Sequence, residues 1–206
     1  MARPRVVVLD YGSGNLRSAE RALARVGADV TVTPDLTAAA TAHGLVVPGV
    51  GAYAACMAGV DAIAAGPVIA NRVAAGAPVL GICVGMQIMF DYGDEHAVVT
   101  KGLGLFPGGV TRLQAERVPH MGWNTVVAPE SSVLFAGVPA DARFYFVHSY
   151  AAHPGGFHDT TVVTTTVHDG PFVSAVESGP LMATQFHPEK SGDSGADLLT
   201  NWLRTL

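Results

Sequence analysis

The feature that most constrains the fold is an alternation of short apolar runs with helical patterns in the N-terminal part of the chain. The apolar runs are RVVVLD, ADVTVT, GLVVPG and APVLGIC, at residues 5–10, 28–33, 44–49 and 77–83. The segments between them, such as 15–26, repeat apolar residues at intervals of three and four, which is typical of helices. Strands that alternate with helices favour a parallel sheet with right-handed crossovers. The sequence therefore predicts an α/β fold with an open, mostly parallel sheet flanked by helices.

Beyond residue 100 the pattern changes to shorter alternating runs, such as GVTRL, WNTVVA, FYFVHSY, TTVVTTTV and LMATQF. These runs predict antiparallel strands added to one side of the sheet. The last segment, DSGADLLTNWLRTL, predicts a closing helix with Asp193 or Ser194 as its N-cap. A length of 206 residues suits one α/β domain with a full core. We therefore expect a single domain over residues 1–206.

Composition limits the function classes. Hydrophobic residues make up 49% of the chain and charged residues 14%, which argues against disorder. A net charge of −5 without a cluster of Lys and Arg argues against nucleic acid or an anionic membrane as a partner. The first apolar run is too short for a signal peptide, and no stretch approaches the ~18 apolar residues of a membrane span. Two cysteines in such a chain indicate the reducing cytoplasm.

A cysteine turn lies in VLGICVGMQIMF, residues 79–90, whose pattern predicts a strand, a tight turn between Gly81 and Gly85, and an apolar helix. Cys83 has a glycine two residues away on each side, the pattern of a nucleophile elbow. Side chains at those two positions would collide with neighbouring strands, and the helix that follows favours the nucleophilic thiolate. The alternative is a buried structural cysteine in a glycine-rich chain. Cys56, with alanines at the same offsets, is expected in the core.

A base for the thiol is offered by LMATQFHPEKS, residues 181–191. If the backbone stays extended, His187 and Glu189 point to the same side and Pro188 stiffens the step between them. Glu189 would then orient the imidazole while its other ring nitrogen faces Cys83. A local surface or capping role is the alternative for a histidine near a glutamate. The remaining histidines lack metal-ligand spacing, so we expect no metal site.

The other glycine loops give no nucleotide fingerprint. DYGSGNLR has Arg17 where G-x-G-x-x-G needs its third glycine, and no P-loop occurs, so we expect no cofactor. VPGVGAY, residues 47–53, follows the third predicted strand. Gly49 and Gly51, on either side of Val50, would let backbone N–H groups face the thiol as an oxyanion hole. A plain tight turn is the alternative for this loop.

The strings PGVG, GICVGMQ and HPE resemble the oxyanion strand, nucleophile turn and His–Glu pair of class I (triad-type) glutamine amidotransferase domains, over essentially the whole chain. DYGSGNLRS, VPHMGWN, YFVHSY and QFHPEKS are similar to one branch of that family, the glutaminase subunits of imidazole glycerol phosphate synthases. The resemblance implies that Cys83 attacks the glutamine carboxamide, His187 protonates the leaving ammonia, and water hydrolyses the glutamyl thioester. Val84, where Leu is commoner, would complete the oxyanion hole through its backbone N–H alone.

The resemblance also implies two sets of contact residues. Those expected to bind glutamine are Gly49, Gly51, Gln87, His148 and Ser149. Those expected to face a partner are Asn15, Trp123 and Lys190. The implied partner is a separate (β/α)8 barrel cyclase subunit, which would use the ammonia to make imidazole glycerol phosphate and aminoimidazole carboxamide ribotide in histidine synthesis. The chain itself offers no second domain or phosphate loop for an ammonia acceptor.

Three other interpretations remain open at this point. The first is the glutaminase of another amidotransferase, against which VPHMGWN and PEKS argue. A cysteine α/β-hydrolase would have its residues in the order Cys, acid, His, whereas here the acid follows the histidine by two residues. A catalytically dead interaction module on the same fold need not keep thiol, imidazole and carboxylate together, and all three are present.

Overall fold

The computed structural model describes residues 2–206, which form three sheets and six α-helices. The helices are α1 (Leu16–Arg25), α2 (Leu36–Thr41), α3 (Tyr53–Ala62), α4 (Ala65–Ala74), α5 (Val84–Gln87) and α6 (Gly192–Leu203). The strands are β1 (Arg5–Leu9), β2 (Asp29–Thr33), β3 (Gly44–Gly49), β4 (Val79–Cys83), β5 (Phe90–Glu95), β6 (Val98–Lys101), β7 (Phe106–Arg112), β8 (His120–Thr125), β9 (Arg143–His148), β10 (Tyr150–Ala152), β11 (Val162–His168), β12 (Gly170–Ser178) and β13 (Leu181–Thr184). In this part of the chain no single helix is long and apolar enough to cross a membrane; only α3 and α4 taken together, bent by 90°, meet the length and composition required.

The main sheet has seven strands in the order β11-β12-β13-β4-β3-β1-β2. The five strands from β13 to β2 are parallel, and β12 and β11 extend one edge antiparallel. Every residue of β3, β4 and β13 is buried, as expected for strands covered on both faces. The predicted open, mostly parallel sheet with added antiparallel strands is confirmed.

The sequence prediction was wrong about the chain that follows the cysteine turn. The predicted apolar helix after Cys83 is only a single turn, α5, and strand β5 begins at Phe90. A longer helix would need the carbonyl of Ile88, which instead accepts a hydrogen bond from Leu103 N–H. Strands β5, β6, β7 and β10 form a second sheet, and β8 and β9 form a third, so the later strands do not all extend the main sheet.

The closing helix α6 is present, but its predicted N-cap is wrong. The helix begins at Gly192, and neither Asp193 nor Ser194 caps it. The preceding residue, Ser191, uses its hydroxyl to donate to the His187 carbonyl and to accept a backbone N–H from β9. The start of α6 is therefore fixed by contacts with the strand-end segment rather than by a local cap.

The strand order brings three chain segments together at the carboxyl edge of the main sheet. β4, which ends at Cys83, lies between β3 and β13. Gly49 at the end of β3 is in register with Cys83. β13 ends at Thr184, three residues before His187. The cysteine turn, the PGVG loop and the His–Glu segment therefore meet at one edge, where open α/β sheets form their binding sites.

Candidate active site

Cys83 occupies a strained elbow between β4 and α5. Its backbone has φ +57° and ψ −116°, a conformation that residues with a side chain rarely adopt. A Cβ on Gly85 would lie 1.9 Å from the Val47 carbonyl oxygen, and a Cβ on Gly81 would lie 2.9 Å from the Gly85 oxygen. The two flanking glycines thus remove collisions with the turn and with the neighbouring strand, as predicted.

His187 and Glu189 form a buried pair. His187 Nδ1 lies 2.7 Å from Glu189 Oε1, and each side chain is only 2% exposed. The predicted extended backbone is wrong, because Pro188 opens a 3-10 turn over Pro188–Lys190. A proline suits the first position of such a turn, since its fixed φ is already helical. The turn, rather than strand periodicity, brings the carboxylate beneath the imidazole.

The contacts of His187 favour its protonated form. Burial opposes protonation, but the interactions with the Cys83 thiol and the Glu189 carboxylate outweigh it and raise the pKa of His187 to about 9. The imidazole is therefore held as imidazolium at neutral pH. Glu189 Oε2 is buried and has no hydrogen-bond partner in residues 2–206, so His187 is the main support for this carboxylate.

A cavity of about 540 Å³ opens at the elbow, and both Cys83 and His187 line it. This volume is in the range of small-molecule sites. The predicted site residues that line it are Val50, Gly51, Val84, Gln87, His148 and Ser149. Gly49 is not in its wall. A Cβ on Gly49 would lie 2.4 Å from Gly85 N, so this glycine allows β3 to approach the elbow.

The predicted oxyanion donor at Val50 is already bonded in this conformation. Val50 N–H donates to the Ser13 hydroxyl over 3.2 Å, and the same hydroxyl donates to the Val50 carbonyl over 2.8 Å. The Cys56 thiol donates to that carbonyl as well, over 3.4 Å. Cys56 is fully buried, as predicted. The Gly49–Val50 peptide is thus held toward Ser13 through its N–H, and the following Val50–Gly51 peptide is held through its carbonyl by Ser13 and Cys56.

His148, predicted to contact glutamine, is neutral. Burial lowers its pKa to about 3, and nearby histidines add to the effect. Its Nδ1 lies 3.0 Å from the Tyr150 carbonyl and its Nε2 lies 3.0 Å from His120 Nδ1. His148 therefore offers a fixed, uncharged ring edge to the cavity and is not a second base.

Sequence reasoning missed three residues of the site. Gln185 is fully buried, with Nε2 3.9 Å from Cys83 Sγ. Its position two residues before His187 was the available signal. Glu95 and Arg112 also line the cavity, but they come from the second sheet, whose placement no local pattern reveals.

Two of the three predicted partner-facing residues share one surface. Trp123 is 51% exposed, and its ring packs against Tyr145 with centroids 5.9 Å apart. Lys190 Nζ lies over the same Tyr145 ring, 5.9 Å from its centroid. Asn15 precedes α1 without a capping hydrogen bond and belongs to a different segment. Within residues 2–206, no group of three His, Cys, Asp or Glu side chains is placed to hold a metal ion.

The sequence matches the family described as "Glutamine amidotransferase class-I" over residues 7–206. The chain belongs to the class I glutamine amidotransferase family. As a member of this family it is an enzyme. It is 63% identical to the imidazole glycerol phosphate synthase subunit HisH of Mycolicibacterium paratuberculosis (strain ATCC BAA-968 / K-10), with 100% of both chains covered. It is 60% identical to the HisH subunit of Thermobifida fusca (strain YX), with 99% of this chain and 100% of the relative covered. The narrower resemblance carried by the four strings is thereby confirmed.

Solved structures agree on the fold. A crystal structure described as a glutamine amidotransferase matches with a TM-score of 0.76 at 18% identity, covering 97% of each chain. PurLQS from Thermotoga maritima matches with a TM-score of 0.74 at 21% identity, covering 98% of each chain. At these identities the likeness concerns the fold alone.

Proposed function

We propose that the chain is the glutaminase subunit of an imidazole glycerol phosphate synthase, which releases ammonia from glutamine for a separate cyclase barrel subunit. One observation carries the glutaminase part: Cys83 lies on a strained elbow and lines the same 540 Å³ cavity as His187, whose imidazole is paired with the buried Glu189. Full-length similarity to HisH subunits supports the choice of acceptor.

The reaction begins with Cys83 as thiolate and His187 as imidazolium. The sulfur attacks the carboxamide carbon of glutamine, the C–N bond breaks, and ammonia leaves with a proton supplied by His187. Water then attacks the glutamyl thioester and gives a proton to His187, while the C–S bond breaks and releases glutamate. Glu189 holds the ring orientation and stabilises the imidazolium, without taking the proton itself.

The cavity wall suits a zwitterionic amino acid. Glu95 provides a carboxylate for an α-ammonium group, and Arg112 provides a cation for an α-carboxylate. Gln87 donates through Nε2 to the Tyr150 carbonyl and to Gln185, so its carbonyl oxygen is the group it can offer the substrate.

The remaining glutamine-binding residues act in two ways. Gly51, His148 and Ser149 lie in the wall of the cavity, where they contact the bound glutamine. Gly49 acts indirectly, since only a residue without a side chain fits against the elbow.

The oxyanion hole is completed only when the Gly49–Val50 peptide rotates and its N–H leaves the Ser13 hydroxyl. Val50 N–H then faces the substrate together with Val84 N–H. One missing donor of this kind costs on the order of 10²–10³ in rate. The isolated chain is therefore a weak glutaminase, and a partner with its ligand bound stimulates it by favouring the released state.

The partner is the barrel-shaped cyclase subunit, in a heterodimer. The surface formed by Trp123, Tyr145 and Lys190 faces it, with Asn15 as a further contact. Lys190 lines the cavity and also lies on this surface, so it links partner and site. Two free cysteines support a location in the cytoplasm.

The test is to mix the chain with the cyclase subunit and its ribonucleotide substrate, and to supply either glutamine or ammonium. The wild-type chain should support synthesis of both products from either nitrogen source. The Cys83→Ala chain should support synthesis from ammonium only, because the barrel chemistry does not use the thiol. Glutamine-dependent synthesis by Cys83→Ala near the wild-type rate would overturn the assignment. Failure of the wild-type complex with glutamine would overturn it as well.

A further inference from the structure

Gln185 is a buried amide that the mechanism above leaves without a role. Its side chain is fully buried between β13 and His187. Its Nε2 lies 3.9 Å from Cys83 Sγ, and its Oε1 accepts a hydrogen bond of 2.8 Å from Gln87 Nε2. A fully buried amide that contacts the nucleophile in this way requires an explanation beyond packing.

The orientation of this amide is dictated by a backbone carbonyl. The Tyr150 oxygen can only accept, so Gln87 must turn its NH2 group toward it, over 2.8 Å. The same NH2 group also faces Gln185, which must answer with its oxygen. A flipped Gln185 would set two NH2 groups against each other. Gln185 therefore presents an N–H donor, and not its carbonyl, to the sulfur of Cys83.

The Tyr150 carbonyl also contacts His148, which is bonded in turn to a second neutral histidine, His120. His148 Nδ1–H donates to it, so His148 Nε2 accepts from His120 Nδ1–H. His120 Nε2 in turn accepts from Asn124 Nδ2 over 3.2 Å. Burial lowers the pKa of His120 to about 4 and that of His148 to about 3, so each ring is neutral and carries a single N–H at neutral pH. The Tyr150 carbonyl, which can only accept, sets which nitrogen of each ring carries it.

Apart from the His187 imidazolium, the sulfur has few other donors. The helix after Cys83 is a single turn, so few aligned backbone dipoles support a thiolate there. Cys83 is 4% exposed, so most of its surface faces protein groups rather than the cavity. We propose that Gln185 is a positioning residue for the nucleophile: its amide N–H donates to the Cys83 sulfur, in an orientation set by the Tyr150 carbonyl through Gln87. The inference rests on the proposed function only in taking Cys83 as the nucleophile.

The experiment measures alkylation of Cys83 by iodoacetamide as a function of pH in the full chain. All variants carry Cys56→Ala, so that Cys83 is the only thiol. Gln185→Met keeps the length of the side chain and removes the donor. We expect the midpoint of its pH profile to rise by about one pH unit, which corresponds to a fall of about tenfold in alkylation rate at pH values below the parent midpoint.

Two further variants separate positioning from stability. Thr184→Val removes a hydroxyl that is equally buried and that donates to the Phe186 carbonyl, so it should lower the melting temperature and leave the pH midpoint unchanged. Gln185→Glu keeps the shape and places an anion beside the sulfur, so its midpoint should rise further than that of Gln185→Met. If Gln185→Met fails to fold, the comparison of Gln185→Glu with Thr184→Val decides.

A Gln185 variant that folds and keeps the parent pH midpoint overturns the proposal, and so does a Thr184→Val midpoint that moves as far as that of Gln185→Met. Alkylation needs no turnover of glutamine. A failed glutaminase assay therefore counts against the proposed function, and an unmoved pH midpoint counts against the role of Gln185 alone.

Discussion

Replacing Glu189 with glutamine tests the charge of the carboxylate separately from its shape. Glu189 Oε1 accepts from His187 Nδ1 over 2.7 Å, and an amide oxygen can keep that bond. The substitution removes the negative charge. Because both side chains are 2% exposed, water does little to screen the charge, and its loss is felt directly by the imidazolium.

The magnitude follows from the pKa of His187. A value of about 9 against the ordinary 6.5 represents a preference for the imidazolium of roughly 3 kcal/mol. The thiol of Cys83 and the carboxylate of Glu189 both contribute to it. Hydrogen bonds to charged groups exceed neutral ones by about 1 to 1.5 kcal/mol, so the charge of Glu189 accounts for about half. We expect Glu189→Gln to lose up to about tenfold in kcat/KM on the alkaline side, where the variant has lost the imidazolium and the wild type still holds it.

The sign of the pH effect is fixed. The imidazolium is present below the pKa of His187 and is lost as pH rises through about 9. Removing the carboxylate lowers that pKa, so the alkaline fall of glutaminase activity should move to lower pH by about one unit. The assay is glutamine hydrolysis by the liganded complex across the neutral and alkaline range. Glu130→Gln serves as the matched control, because Glu130 is exposed and outside the cavity wall.

Two results would refute this reasoning. An unchanged alkaline limb in Glu189→Gln would mean that the carboxylate does not set the protonation of His187. A loss as large as that of Cys83→Ala would mean that Glu189 itself transfers a proton. His187→Asn should lose far more than Glu189→Gln, because it removes the acid and base altogether.

Two other substitutions test the coupling to the partner. Ser13→Ala removes the hydroxyl that bonds to Val50 N–H, so glutamine hydrolysis by the isolated chain should rise about fivefold, the equivalent of one ordinary hydrogen bond. An unchanged rate of the isolated chain would show that Ser13 does not restrain this peptide, and Ser18→Ala is the control. Lys190→Ala should reduce stimulation by the liganded cyclase subunit more than it raises KM for glutamine, because Lys190 lies against Tyr145 on the proposed contact surface. Full stimulation of this variant would count against that surface.

The sequence was informative where the fold relies on local signals. The buried strands, the glycines around Cys83 and the His–Glu spacing each leave a local pattern, and neighbouring parallel strands place them at one edge of the sheet. The sequence was uninformative where tertiary contacts override a local preference. The apolar stretch after Cys83 reads as a helix, yet its carbonyls bond to the segment before β7 and the helix stops after one turn.

The site shows the same division. Cys83 and His187 follow from motifs, but Ser13 opposite Val50 and Glu95 in the cavity wall depend on how distant segments pack. Even the correct pairing of His187 with Glu189 was predicted for the wrong reason, since a 3-10 turn and not an extended strand joins them. Gln185 lay within a recognised motif, but only the geometry of its amide gives it a role.

The central claim is that glutamine passes through a thioester on Cys83. The most direct measurement is intact-mass and peptide analysis of the liganded complex, quenched in acid during glutamine turnover. The account predicts a glutamyl adduct, equal in mass to glutamine minus ammonia, on the peptide that contains Cys83, and its disappearance once glutamine is consumed. An adduct on another residue, or rapid glutamine turnover by the Cys83→Ala complex, would contradict it.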